Sequence, residues 1–175
     1  EPLAMAKRLP PEAPAGYRAL EAAGGDIGGD ALDDWAVMVM MGQRVAQKAE
    51  LDSSNGVETR LTARFKDARK RIGGLETAHE QLMFFETLDP ATQRTLLTRA
   101  AEKAGDAVKD VGALTTAWGR GDVAALERVI NEDVDAVPAA RKAILTDRNR
   151  RWGLWGQKRL EQSRTVLRAV GGGGL

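Results

Sequence analysis

Apolar residues recur along most of this chain at steps of three and four, the period of a helix with one covered face. Leu32, Trp35, Val39, Gly42 and Ala46 form such a stripe, predicting a long helix from about residue 31 to 48. The middle of that helix, Trp35 to Met41, is apolar nearly all round, which predicts burial on more than one side. Asp52 to Gly56 reads as a turn, and Val57, Leu61 and Phe65 resume a helix over 57–68. Further helices are expected near 17–23, over 76–88, from the Asp89-Pro90 start to about Lys103, and over 106–118. Asp122 caps a shorter one to about Asn131, and Pro138 opens the last, to about Gln162. On that last helix Arg141, Leu145, Arg148, Trp152, Trp155 and Arg159 share a stripe.

Two short segments break the helical rhythm. Arg71-Ile72-Gly73-Gly74-Leu75 is glycine-rich and short, and Thr165 to Val170 is β-prone, so each is expected to be a short strand. The fold class that follows is α+β: a predominantly helical fragment with a small β-sheet built from strands near 71–75 and 165–170. Prolines at 2, 10, 11 and 14 and the glycines of 24–29 predict a loosely organised stretch over 1–30. The chain starts at Glu1 and stops on an apolar residue after a glycine run, which predicts a single domain over 1–175 that is incomplete at both ends.

Composition narrows the chemistry. The 26 basic and 25 acidic residues nearly cancel, so net charge points to neither a nucleic-acid partner nor an acidic substrate. The chain has no cysteine, which removes disulfides and thiolate metal sites, and His79 is its one imidazole. His79-Glu80 begins like a zinc-binding helix, but the second histidine position holds Met83, so zinc held by this chain alone is not expected. The longest apolar run is far shorter than the roughly 20 residues of a membrane span. Locally, Arg141, Lys142, Arg148, Arg150, Arg151, Lys158, Arg159 and Arg164 crowd the last helix against Asp147 and Glu161. With Trp152 and Trp155 interleaved, that patch fits a nucleic-acid backbone, an anionic lipid surface or plain solvated charge. No specific nucleic-acid motif accompanies it.

Arg148 is the most chemically pointed of these residues. A guanidinium between Leu145 and Trp152 on an apolar stripe either pairs with a carboxylate or anion, Glu76 among the candidates, or passes the tryptophans to reach water. The four glycines at 171–174 follow a β-prone stretch, and Gly171 and Gly173 there are either an anion cradle or an inert turn.

Gly74-Leu75-Glu76-Thr77 with Glu80-Gln81-Leu82, then Phe85 and Leu88, Asp147-Arg148-Asn149 with Trp152, and Ala169 to Leu175 together resemble the TraB/GumN family. Ala117-Trp118, Gly121-Asp122, Asp33-Asp34-Trp35 and Gly56-Val57-Glu58 extend the resemblance over most of the chain. That family is similar to the Tiki proteins, which are metal-dependent proteases with two Gly-x-x-His motifs and an invariant glutamate. The resemblance therefore implies a metal-dependent peptidase or hydrolase acting on a peptide substrate, with Mn, Co or Zn as cofactor and a bacterial periplasmic or cell-envelope location. It places Glu76 as metal ligand or water-orienting carboxylate, and Arg148 and Asn149 as groups that hold it or stabilise oxyanion charge. The chain departs from the pattern in two places. No first Gly-x-x-His lies in it, and the second would end at Gly174, which offers no ligand. The expectation is an inactive chain that binds no metal alone. Its rivals are a non-catalytic binding module and a helical scaffold with a basic surface helix.

Overall fold

The computed structural model describes residues 4–52, 54, 56–162 and 166–169, and among these every regular element is helical. In chain order the α-helices are α1 (Met5–Arg8), α2 (Pro14–Gly24), α3 (Asp34–Lys48), α4 (Val57–Asp67), α5 (Ala78–Glu86), α6 (Pro90–Lys103), α7 (Ala107–Arg120), α8 (Val123–Asp135), α9 (Pro138–Arg141) and α10 (Asp147–Leu160), with a 3-10 turn at Gly29–Ala31 between α2 and α3. A single π turn, Lys142–Thr146, joins α9 to α10.

The expected β-sheet is absent from the described residues, so the α+β reading is corrected to an all-helical one. Residues 71–74 are irregular and exposed, and residues 166–169 are irregular as well; positions 165 and 170 lie outside the described residues. The physical reason is pairing. A strand satisfies its backbone only through a neighbouring strand, and among the described residues neither segment has one, so β-propensity has nothing to act on.

Helix starts follow local chemistry. Thr77 caps α5 in a reciprocal box with Glu80, Asp89 accepts from Thr92 N at 3.0 Å ahead of Pro90, and Asp122 accepts from Ala125 N at 3.0 Å ahead of α8. Gly121 turns α7 back towards α8 at φ 67°, a left-handed conformation that suits glycine.

The main core is built where α2, α3 and α6 meet. Tyr17 and Leu20 of α2, Val37 and Met41 of α3, and Leu97 and Ala101 of α6 are buried together with Met5, Leu9, Ala13 and Ile27 from the first thirty residues. Gly16 lets α2 and α6 approach: a methyl group there would stand 2.0 Å from the Ala101 carbonyl oxygen. Burial and a hydrogen bond to Glu21 push the Tyr17 hydroxyl well above its ordinary pKa. A second core joins Leu88, Leu96, Val137, Ala140 and Ile144, and Met38 packs against both.

On α3 the buried line runs through Asp34, Val37 and Met41, while Gly42 of the expected stripe is exposed. Because that helix is apolar nearly all round, its period could not choose a face; an acidic residue heads the face that is buried.

Candidate functional site

Glu76 sits in the loop just ahead of α5, and Arg148 on the first turn of α10. The two meet across 72 positions of sequence. Arg148 Nε donates to Glu76 Oε1 at 2.9 Å and to Oε2 at 3.0 Å, and Nη2 donates to Oε1. Both side chains are largely covered, at 18% and 14% exposure. A forked guanidinium matched to a carboxylate is the geometry in which arginine binds most strongly.

Aromatic rings flank Arg148. The Arg148 guanidinium lies 4.5 Å from the Trp152 ring centroid and 5.7 Å from that of Phe84, so the cation is held by π faces as well as by the carboxylate. Arg168 also approaches Trp152, at 6.0 Å from its ring centroid. The row beneath is Ala140, Ile144, Arg148 and Trp152, evenly spaced by four. A wider π turn makes that even spacing possible, since it delays the rotation of the helix between Ala140 and Arg148. The expected stripe through Leu145 is thereby displaced to Ile144, which is buried where Leu145 is only half-buried.

Asn149 follows at the next position, about 100° round the helix from Arg148, and is half-buried. His79 is exposed on α5. Glu80 is engaged by its own cap: Thr77 N donates to Oε2 at 2.7 Å and Thr77 Oγ1 at 2.9 Å. These bonds, with smaller help from Arg151 and His79, hold its carboxyl below the usual range. Gly171 and Gly173, and Gly174 with them, lie outside the described residues.

The basic helix is less isolated than its sequence suggests. Arg141 pairs with Asp135 at 2.6 Å, Lys142 with Asp147 at 2.6 Å, and Arg148 with Glu76, while Arg159 lies 5.5 Å over Trp155. Sequence reasoning missed a second ionic cluster altogether. Asp34 is gripped by Arg94 Nε at 2.5 Å and by Arg8 Nη1 at 3.4 Å, and Arg8 also donates to the Leu32 carbonyl at 2.6 Å. The available signal was an aspartate opening an apolar helix, but its partners lie 26 and 60 positions away. Trp35 is tied too, stacked on Phe85 at 6.4 Å and donating through Nε1 to Glu86.

A family model for the TraB/PrgY/gumN family matches residues 3–175. The chain belongs to the TraB/PrgY/gumN family. Neither a curated protein nor a solved structure was found to match it. A tightly held divalent metal needs several converging donors. In this TraB/PrgY/gumN protein no three His, Cys, Asp or Glu side chains converge among the described residues, and both oxygens of Glu76 accept from Arg148. The described residues therefore do not fit a metal centre. What Glu76 and Arg148 do is fasten the loop before α5 to the start of α10.

Proposed function

We propose that this chain is a peptide-binding module of the TraB/PrgY/gumN family that does not hydrolyse peptide by itself, with Glu76 and Arg148 as a positioning pair. One observation carries the reading: the Arg148 fork engages both oxygens of Glu76, so the carboxylate is committed to holding two elements together. A peptide is the ligand class suggested by the resemblance to Tiki-like proteases.

The second reading is the Tiki-like metal-dependent peptidase, with Glu76 at the metal or its water. Its support is the π turn that sets Arg148 beside Glu76, because such turns recur at functional sites. That reading requires Arg148 to release a carboxylate oxygen. Calorimetric titration with Mn²⁺, Co²⁺ and Zn²⁺ separates the two. The binding reading expects no stoichiometric uptake by the wild type and none by Arg148→Ala. Stoichiometric binding at micromolar affinity, strengthened in Arg148→Ala, would overturn it in favour of the peptidase.

A further inference from the structure

Beside the Glu76–Arg148 pair, an open groove of about 440 Å³ lies between α5 and α10. Its volume falls within the roughly 300–1,000 Å³ of small-ligand sites. Phe84, Ala143 and Leu154 supply its apolar lining, and Leu154 is left 55% exposed there. Arg150 and Arg151 supply its cations. The Arg151 guanidinium lies 4.6 Å from the Phe84 ring centroid, a cation–π contact that holds it at the groove's edge while consuming no carboxylate. Neither arginine makes an ion pair among the described residues. The neighbouring carboxylates are already used: Asp147 by Lys142, and Glu80 by the Thr77 cap.

We infer that this groove seats a peptide segment in which an apolar side chain stands next to a carboxylate, the apolar group on Phe84 and Leu154 and the carboxylate on Arg150 and Arg151. The inference rests on the peptide-binding reading and adds the place and the ligand chemistry. Charge complementarity chooses the acidic partner, and the open leucine chooses its apolar neighbour. A bilayer surface is the poorer match. The exposed leucines of α10, Leu154 and Leu160, are six positions apart and so fall about 120° from each other round the helix, which gives a flat membrane no single apolar face.

The test is fluorescence anisotropy with the whole chain and the probe fluorescein-Gly-Ser-Leu-Glu-Leu-Glu, carrying a free C-terminus. Saturable binding is expected, and it should be lost when the probe's glutamates become lysines or its leucines become serines. The Arg150→Glu/Arg151→Glu double variant and Leu154→Ser should each weaken binding about tenfold or more, whereas Lys109→Glu on α7 should not. Absence of saturable binding, or equal binding of the altered probes, overturns the inference without needing any variant to fold. Binding that ignores the groove variants, with unchanged circular dichroism, overturns the groove while leaving the peptide-binding reading standing. Co-sedimentation with phosphatidylglycerol vesicles that the groove variants abolish, in a protein that ignores the probe, assigns the surface to lipid and overturns it too. Stoichiometric metal uptake would instead remove the reading on which the inference rests.

Discussion

Arg148 is held by a carboxylate and by cation–π contacts with two rings, so removing it costs more than one contact. Truncation leaves Glu76 covered without its cation and opens the space beside Trp152. A buried pair loses about 3–5 kcal/mol when one partner is removed, and this one is partly exposed, so Arg148→Ala is expected to cost about 2–3 kcal/mol. Arg150 lies two positions on, exposed and outside any ion pair among the described residues, so Arg150→Ala should stay within about 0.5 kcal/mol. In a domain of this size the gap between them is about 5–10 °C in melting temperature. Calorimetric scans of the two variants check it, and matching melting temperatures would refute it. The place of Arg148 between apolar residues left two outcomes, a carboxylate or anion partner or a path past the tryptophans to water, with Glu76 among the candidate partners. Spacing could not choose between them, because Glu76 is 72 positions away, and the family resemblance added a reason to set the two together.

At the scale of elements, the readable features were those that local chemistry decides. The caps at Asp89 and Asp122 and the prolines at 90 and 138 stand where helices start, because a capping side chain and its backbone partner are neighbours in sequence. The strands near 71–75 and 165–170 failed for the opposite reason, since a sheet depends on a distant partner that the residues themselves do not announce. The π turn was likewise hidden: nothing in Lys142 to Thr146 departs from ordinary helical residues, and the turn shows only in the fold, where its Ile144 enters the second core. Caps also carry the pH response. Hydrogen bonds from Thr92 hold the Asp89 carboxyl below its ordinary pKa. A depressed folded value means this contribution is complete above the unfolded carboxylate range and is lost as pH falls through the folded value. Asp89→Asn keeps a capping oxygen but cannot titrate. Wild type should therefore melt higher than Asp89→Asn at neutral pH, and the difference should narrow as pH falls below the ordinary carboxylate range. Melting temperatures of both proteins across that range decide it, and a difference independent of pH would contradict the assignment.

On the scale of the whole molecule, the Arg8–Asp34–Arg94 cluster joins α1, α3 and α6, elements that meet only after the chain has folded. Arg94 also donates to the Arg8 carbonyl at 3.4 Å, so the backbone at the end of α1 is tied to α6 directly. The Arg8 side chain is 1% exposed and Asp34 8%, so Asp34 sets a buried carboxylate against a buried guanidinium there. Lys103 ties the far end of α6 to α8 through Glu132 at 2.8 Å and Asp133 at 2.9 Å, but that cluster is open to water and worth less. Asp34→Ala should thus cost about 3–5 kcal/mol, a large part of the roughly 5–15 kcal/mol that holds a domain together. The loss should also be uneven. Hydrogen exchange is expected to quicken most in α1 and α2, whose Met5, Leu9, Tyr17 and Leu20 depend on that docking, and least in α8, which has no fully buried residue and no contact with the cluster. Uniform acceleration across α2 and α8 would refute the local role. Removing all three charges together separates charge from packing. If the harm in Asp34→Ala comes from stranding Arg8, then Arg8→Met with Asp34→Leu and Arg94→Met should be more stable than Asp34→Ala alone, because apolar side chains of similar volume carry no desolvation cost to be offset.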